Sequence, residues 1–261
     1  MELSVSGDRF SMRGKRVLVV GGTRGIGRAI AWRLAASGAE VIVNYVRDDE
    51  AAGRLMSESA SGGLEIEAVR ADVSSDKGRE QLLQAVTARF ADLTALVFAA
   101  ATGVHRPFEQ LTGRHFDFTY ALNVKAFLAL VQALAGKMAT AGSSIIALSS
   151  EGAVHAMQHY GLVGSSKAAL ESLCRHLAVE LAPKGIRVNV LSPGTVRTDA
   201  WNVLPDADRR LAGAAARSPR GTLTTLEEVA WAAQFLASDA SSGLAGHTLV
   251  VDGGARVVGA G

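Results

Sequence analysis

The stretch Val17-Leu-Val-Val-Gly21-Gly-Thr-Arg-Gly25-Ile-Gly27 joins an apolar, β-branched run to a cluster of glycines. The run predicts a buried strand, and the segment that begins at Gly25 predicts a helix. Glycines at 21, 25 and 27 let the backbone turn tightly between the two elements and approach a ligand closely. A helix that starts there presents free amides and the positive end of its dipole. The stretch therefore predicts a site for the pyrophosphate of a dinucleotide.

The spacing of these glycines is G-x-x-x-G-x-G, which differs from the commonest dinucleotide fingerprint, G-x-G-x-x-G. An ordinary turn would also tolerate three glycines, so the position between a first strand and a first helix carries much of the inference. We predict that the loop contacts the cofactor through Gly21, Thr23, Arg24, Gly25, Ile26 and Gly27.

Short apolar runs alternate with longer helical segments along the whole chain. The predicted strands cover residues 16–20, 40–45, 65–70, 95–99, 144–148, 187–191 and 248–251. The predicted helices cover residues 25–37, 48–60, 75–90, part of 112–140, and 165–181. Such alternation predicts an α/β fold, a Rossmann-type doubly wound parallel sheet of about seven strands with helices on both faces.

Two segments fall outside this alternation. Residues 1–12 form a polar N-terminal extension, and residues 13–261 form a single domain. Residues 193–224 are irregular, with several prolines and glycines and room for one short helix. A long segment that leaves the carboxyl end of a strand in such a fold is expected to be a mobile loop over the substrate site.

Composition excludes several classes of protein. The chain has 261 residues, 48% of them hydrophobic, a net charge of +2 and a single cysteine. A disordered chain would be less apolar, and a disulfide scaffold needs more cysteines. The small net charge does not indicate a nucleic-acid partner. We expect a cytoplasmic protein without a signal sequence or membrane span, and no residue cluster has the spacing of a metal site.

The end of the second strand bears on the choice of cofactor. NAD-binding versions of this fold carry an acid there, whereas this chain has Asn44, Tyr45 and then Arg47. Two arginines, Arg24 and Arg47, suit a 2′-phosphate, so we predict NADP(H). The alternative is that both arginines are simply solvated, and Asp48 weakens their positive potential. The adenine is expected beside Asp72 and Val73, which could also form an ordinary strand-to-helix turn.

The ordered set of motifs resembles the short-chain dehydrogenase/reductase family over residues 13–258. The matching positions are the glycine loop, Asp72, Asn123, Ser149-Ser150, Lys167, Ser192-Pro193-Gly194 and Val251-Asp252-Gly253-Gly254. The resemblance implies catalytic roles for Asn123, Ser150 and Lys167. It also implies cofactor contacts from Ala99, Lys167, Pro193, Gly194, Val196 and Thr198.

Two positions depart from the family pattern. The usual Asn-Asn-Ala-Gly after the fourth strand is replaced by Phe98-Ala99-Ala100-Ala101, which puts the local geometry in question. The usual Tyr-x-x-x-Lys is also absent, because Val163 lies four residues before Lys167. The nearest preceding tyrosine is Tyr160, which gives Tyr-x6-Lys. This spacing resembles the enoyl-acyl-carrier-protein reductase branch, and the surrounding residues are similar to its NADPH-dependent type III members.

The longer spacing suits reduction of a carbon–carbon double bond. If the helix persists, Tyr160 lies about 10 Å from Lys167 along the axis, instead of about 6 Å for a four-residue spacing. In an enoyl thioester, hydride adds to Cβ while charge develops on the more distant carbonyl oxygen. Tyr160 would donate to that oxygen, with Ser150 as a second donor. The resemblance implies that Lys167 holds the nicotinamide ribose and lowers the pKa of Tyr160.

Other interpretations of these residues and of the whole chain stay open. Tyr160 could pack on the pocket wall, Lys167 could be a solvated helix lysine, and Asn123 could serve helix packing. The protein could instead be a carbonyl reductase that uses Ser150 or water as donor, or a cofactor-binding protein without turnover. The expected partners are a small or carrier-bound acyl substrate, with acyl carrier protein as one carrier. A second copy of the chain is also expected, since relatives form tetramers or dimers through the helices in 112–140 and 165–181.

Overall fold

The computed structural model of the protein describes residues 8–138, 142–199, 201 and 206–258. Within these residues, seven strands form one parallel sheet in the order β3-β2-β1-β4-β5-β6-β7. The strands are β1 (Arg16–Val20), β2 (Glu40–Tyr45), β3 (Ile66–Arg70), β4 (Ala95–Phe98), β5 (Ser143–Leu148), β6 (Ile186–Pro193) and β7 (Thr248–Val251). The predicted doubly wound α/β fold is confirmed, and the predicted strand ends differ by at most two residues.

The helices cover both faces of this sheet. They are α1 (Gly25–Ala36), α2 (Asp49–Ser61), α3 (Asp76–Arg89), α4 (Gly113–Tyr120), α5 (Phe127–Leu134), α6 (Gly161–Leu181), α7 (Ala207–Arg217) and α8 (Leu226–Ala237). Side chains cap the N-termini of several of these helices. The Ser75 hydroxyl, for example, accepts a hydrogen bond from the amide of Gly78 at the start of α3.

The central strands supply side chains to two separate cores. Leu18 and Val20 of β1 pack with α3, α5 and α6, whereas Val17 and Val19 pack with α1, α2 and α8. All four side chains are fully buried. A strand that is covered on both faces has no solvent-facing position, and this is why the sequence shows a continuous apolar run there.

The segment 112–140 contains two helices rather than one. Helix α4 begins after Thr112, whose hydroxyl accepts from the amide of His115. A π-helical turn, Ala121–Ala126, then joins it to α5, and the predicted residues 139–141 lie outside the described part of the chain. Helix α6 starts at Gly161, four residues before the predicted position, and Tyr160 is its N-cap residue.

One helix, α8, was absent from the sequence-based prediction. It begins with a capping box in which the Thr225 hydroxyl accepts from the amide of Glu228 at 3.1 Å. The Glu228 carboxylate accepts from the amide of Thr225 at 2.9 Å. Its Val229 and Leu236 are fully buried in the core with α1. A Thr-x-x-Glu signal before an apolar run was therefore available in the sequence.

The N-terminal boundary of the folded domain lies before residue 13. Met12 is fully buried, and its amide donates to the carbonyl of Ser37 at 3.0 Å. The carbonyl of Phe10 accepts from the Gln234 side chain. Residues 1–7 of the predicted extension, and residues 200 and 202–205 of the predicted substrate loop, lie outside the described residues.

The sheet order reverses between β1 and β4, and this crossover determines where a ligand can bind. Loops from the carboxyl ends of the two strands leave in opposite directions, which opens a crevice at that edge of the sheet. No helix in the described part of the chain combines the length and apolarity needed to cross a membrane.

Candidate active site

The glycine loop turns sharply where β1 meets α1. Gly21 has φ +79°, and a Cβ there would lie 2.8 Å from the Cα of Ala100. A Cβ on Gly27 would lie 2.1 Å from the carbonyl oxygen of Gly21. The amides of Gly21 and Gly22 both donate to the carbonyl of Asn44 at 3.0 Å. These contacts leave no room for side chains, so the loop presents its backbone to the crevice.

The first amides of α1 are not capped by a side chain. Arg24 is the N-cap residue and makes no such hydrogen bond among the described residues, and the first turn has no acidic residue. Helix α2, in contrast, is capped by Asp48. Free amides at a helix N-terminus, next to a loop of close-packed glycines, fit the pyrophosphate of a dinucleotide.

The segment that replaces the family's Asn-Asn-Ala-Gly is tightly packed. The Phe98 ring is fully buried and meets Phe127 edge to face at 5.4 Å. The amide of Ala99 donates to the carbonyl of Val20 at 2.9 Å, and Ala100 lies against Gly21. The replacement thus extends the apolar core and supports the glycine loop with a small residue.

Asn44 and Tyr45 hold the end of β2 in place. The Asn44 side chain is buried and donates to the carbonyl of Ala71 at 2.8 Å. The Tyr45 hydroxyl donates to Asp49 at 2.9 Å, and this hydrogen bond raises the pKa of the phenol. Both side chains are therefore engaged within the protein, although Asn44 also anchors the glycine loop through its carbonyl.

The predicted phosphate-binding arginines differ in their surroundings. Arg24 forms an ion pair with Asp48 at 3.2 Å, and the other oxygen of Asp48 caps the amide of Ala51. Arg47 is exposed and has no ion pair among the described residues. A cavity of about 420 Å³ lies over the α1 N-terminus and is lined by Thr23, Arg24 and Asp48.

The predicted adenine contacts lie at the turn after β3. The Asp72 carboxylate accepts from both the amide and the hydroxyl of Ser74, which makes the turn a self-capped one. Val73 is buried in the core that contains α3. Asp72 therefore forms the turn, which is the alternative weighed from the sequence, and its side chain is exposed.

The segment after β6 reaches back toward the glycine loop. Pro193 ends β6, and the amide of Gly194 donates to the carbonyl of Val251 at 2.8 Å. Val196 is buried, and the backbone then brings Thr198 to the glycine loop. A methyl group on Gly25 would lie 3.4 Å from the Thr198 side chain. The glycine loop and the segment after β6 are thus in contact at Gly25 and Thr198.

Tyr160 and Ser150 are in direct contact. The Tyr160 hydroxyl donates to the Ser150 oxygen at 3.3 Å. The ring packs on Gly152, where a Cβ would lie 2.5 Å from a ring carbon. Burial raises the pKa of Tyr160, the hydrogen bond with Ser150 opposes this shift, and the charge of nearby Glu151 adds to it. The phenol is therefore neutral at physiological pH and can act as a hydrogen-bond donor.

Lys167 lies on the next turns of α6 and is buried, not solvated. Its ammonium donates to the carbonyl of Leu148 at 2.7 Å, at the end of β5. Burial lowers the pKa of Lys167 to about 8, although Cys174 and Glu171 oppose the shift. Lys167 is not among the groups that shift the pKa of Tyr160, and its ammonium is directed at the carbonyl of Leu148 instead.

Asn123 links the loop after β4 to α6. Its side-chain oxygen accepts from the amide of Thr102 at 2.9 Å. Its side-chain nitrogen donates to the carbonyl of Thr102 at 2.8 Å and to the Ser166 hydroxyl at 2.9 Å. The residue is fully buried within the π-helical turn. Asn123 is thus a positioning residue in this structure, with every amide hydrogen-bonding group but one oxygen lone pair in use.

Sequence reasoning missed His105 as a candidate for this site. Its ring lies edge-on to Tyr160, with centroids 5.2 Å apart. Burial lowers the pKa of His105, and the positive charge of Arg210 adds to the effect. The residue follows β4 in the chain, and the carboxyl ends of parallel strands are where such folds place their ligands.

A second cavity, which we name the arginine cavity, lies beside this contact. It measures about 560 Å³ and is lined by Glu151, Met157, Thr195, Trp201 and three arginines, Arg209, Arg210 and Arg217. Glu151 follows Ser150 directly, and Thr195 follows Gly194. The cavity therefore lies between residues that neighbour Ser150 and Gly194 in the chain and the helix α7. None of the described residues forms a group of His, Cys, Asp or Glu that could hold a metal ion.

Comparison with known proteins identifies relatives across nearly the whole chain. A family model described as "Enoyl-(Acyl carrier protein) reductase" matches residues 20–256. A 1-cyclohexenylcarbonyl-CoA reductase of Streptomyces collinus is 36% identical over 92% of this chain and 86% of its own. A tropinone reductase homolog of Arabidopsis thaliana is 33% identical over 96% and 94%. A solved short-chain dehydrogenase/reductase from Serratia marcescens superposes with a TM-score of 0.87, at 30% identity over 93% and 98%.

The protein should lose catalytic activity above about pH 8, where Lys167 loses its proton. Above that pH, kcat/KM should fall about tenfold per unit, because the neutral amine has no charge and donates a weaker hydrogen bond to Leu148 than the ammonium does. Tyr160 does not titrate in this range, since its pKa is raised. The measurement is a pH profile of cofactor oxidation in wild type and in Lys167→Arg, with circular dichroism to confirm folding.

The Arg variant should lose at least about tenfold in rate, yet show no decline up to about pH 10, because a guanidinium stays charged. A decline near pH 8 that persists in Lys167→Arg would assign the titration to another group.

Proposed function

This chain belongs to the short-chain dehydrogenase/reductase family, and we propose that it reduces the carbon–carbon double bond of an α,β-unsaturated thioester with NADPH. The family makes it an oxidoreductase that uses NAD(H) or NADP(H). The close-packed glycines and the uncapped α1 N-terminus fit such a cofactor. When bound, the cofactor supplies a hydride.

The observation that carries the proposal is the position of Tyr160. It is the last residue before α6, seven positions ahead of Lys167, and its hydroxyl already contacts Ser150. A rise of 1.5 Å per residue separates Tyr160 and Lys167 by about 10 Å along the axis. A donor displaced from the lysine in this way suits a substrate whose oxygen lies three bonds from the carbon that is reduced, two bonds further than in a ketone.

The chain's own residues would stabilise the charge that develops on the substrate. As hydride adds to Cβ, the π electrons shift onto the thioester oxygen and form an enolate. Tyr160 and Ser150 donate hydrogen bonds to that oxygen, and the raised pKa of Tyr160 keeps its proton in place. A proton from solvent then adds to Cα and restores the carbonyl. Lys167 stays charged and binds the ribose hydroxyls beside the carbonyl of Leu148.

The relatives support a thioester substrate, but their names include both thioester and ketone reductases. The family description names enoyl-acyl-carrier-protein reductase, and the relative from Streptomyces collinus is named for an unsaturated acyl-CoA. A second candidate, a carbonyl reductase, is favoured by the relative named for tropinone. In that reaction Tyr160 or Ser150 would give a proton to the oxygen next to the reduced carbon.

NADPH is favoured by the arginines near the α1 N-terminus. Arg24 and Arg28 line the 420 Å³ cavity, and no acid follows Asn44 until Asp48. A 2′-phosphate would take the place of the Asp48 carboxylate beside Arg24. The same ion pair weakens binding of the 2′-phosphate. The charge of Arg24 is already neutralised in the free protein, and Asp48 would repel a second anion.

Assembly into a dimer or tetramer is part of the proposal. Phe116 and Phe118 of α4 are 45% and 53% exposed, and Val179 of α6 is 75% exposed. Large apolar side chains in such numbers on two neighbouring helices are consistent with a face that another copy of the chain covers.

The reaction type is tested with a crotonyl thioester and a panel of ketones, with NADPH oxidation as the readout. Tyr160→Phe should lower kcat/KM for the thioester by about 10²–10⁴, the usual loss for a donor to a developing oxyanion. Tyr120→Phe is the matched control, because its hydroxyl contacts only exposed Ser165. Its activity should stay within about threefold of wild type. Turnover of ketones alone would contradict the proposal.

The cofactor preference is tested with Asp48→Ser. Serine keeps a cap for the amide of Ala51 and removes the charge beside Arg24. The preference for NADPH over NADH, measured as a ratio of kcat/KM values, should rise about threefold to tenfold. Arg24→Ala should lower the same ratio, and Glu80→Ser on α3 removes a distant charge as the control. An unchanged ratio in both Asp48→Ser and Arg24→Ala would reject the 2′-phosphate site.

A further inference from the structure

We propose that the arginine cavity binds the phosphate of a 4′-phosphopantetheine arm, so that the substrate is a thioester carried on that arm. The inference rests on the proposed function for the reacting end of the substrate. It assigns a separate role, recognition of the carrier, to Arg210 and Arg217 of α7. The same phosphate is present in coenzyme A and in the prosthetic group of carrier proteins.

The arginines line the cavity because of their spacing on α7. Arg210, Gly213, Ala214 and Arg217 stand at i, i+3, i+4 and i+7, which places them on one face of the helix. A Cβ at Gly213 would meet nothing within 4 Å. Gly213 therefore leaves open space on the helix face that carries Arg210 and Arg217, where the cavity has room for an anion of phosphate size.

The cavity carries excess positive charge. Arg209 pairs with Asp206 at 3.0 Å, and Arg217 lies 4.0 Å from Glu151. Arg210 has no ion pair among the described residues and lies over the Trp201 ring at 5.7 Å. Glu151 is thus the one carboxylate among the described lining residues, against three guanidinium groups. Arginine binds phosphate with paired hydrogen bonds. The single carboxylate in the lining cannot form such bonds with all three guanidinium groups, so donors remain for a phosphate.

The opposite wall of the cavity lies next to the residues that would contact the reacting end of the substrate. Glu151 is adjacent to Ser150, and Arg210 is close enough to His105 to affect its pKa. His105 in turn packs against Tyr160. The arginine cavity therefore begins one residue from Ser150, at Glu151, and its other wall is the cationic face of α7. A thioester bound with its oxygen at Tyr160 and Ser150 would extend its carrier arm into this cavity.

The first test compares crotonyl-CoA with crotonyl-N-acetylcysteamine, which has the same thioester and no phosphate. Arg210→Ala should raise KM for crotonyl-CoA about fivefold to tenfold, and the Arg210→Ala/Arg217→Ala double variant about fiftyfold or more. Neither should change kcat/KM for the short thioester by more than about twofold. Arg210→Lys should recover part of the loss, and Lys77→Ala on α3 is the control for charge alone. Equal effects on both thioesters would overturn the proposal.

The second test does not depend on turnover. Calorimetry measures the binding of coenzyme A, 4′-phosphopantetheine and pantetheine to protein that is saturated with NADP⁺, which keeps these ligands out of the dinucleotide site. Both phosphorylated ligands should bind at least about tenfold more tightly than pantetheine, and the difference should vanish in the double variant. Tighter binding of coenzyme A than of 4′-phosphopantetheine would identify coenzyme A as the carrier. If the protein reduces no thioester and this difference remains, the proposed function fails while the phosphate site stands; equal binding of all three ligands removes the site.

Discussion

The first turns of α6 are held by two successive buried residues, and the geometry of the reaction site depends on that constraint. Lys167 donates to the carbonyl of Leu148 on β5, and Ser166 accepts from Asn123 in the π-helical turn. A buried ammonium without a partner is costly, so the bond to Leu148 fixes both the rotation and the height of α6. Tyr160, directly before the helix, is thereby held against Ser150.

Much of this arrangement could be predicted from the sequence, because it follows from local rules. Apolar runs covered on both faces located the strands, and glycines between β1 and α1 located the dinucleotide loop. Ser150, Tyr160 and Lys167 were found through a family resemblance, and the structure places the first two in contact. The capping box at Thr225 and Glu228 shows that α8 was also within reach, since both the cap and the apolar run are in the sequence.

Other features required three dimensions. His105 meets Tyr160 only because the β4 loop and the start of α6 converge, and no spacing in the sequence indicates that contact. Burial is the main cause that raises the pKa of Tyr160, and burial is not visible in the motif. Ion pairing also differs between the arginines of the two cavities. Arg24 in the glycine loop forms an ion pair with Asp48, whereas Arg210 in the arginine cavity has no ion pair within the described chain. Composition, with a net charge of +2, conceals this difference.

The central claim is that hydride reaches the β-carbon of a thioester whose oxygen is held by Tyr160 and Ser150. The most direct test uses NADPH that carries deuterium at the transferred position, with a crotonyl thioester in ordinary water, and locates the label in the product by NMR. One deuterium at Cβ and hydrogen from solvent at Cα is the predicted result. Label found only on the carbinol carbon of products from a ketone panel, with none in the butyryl thioester, would contradict the claim.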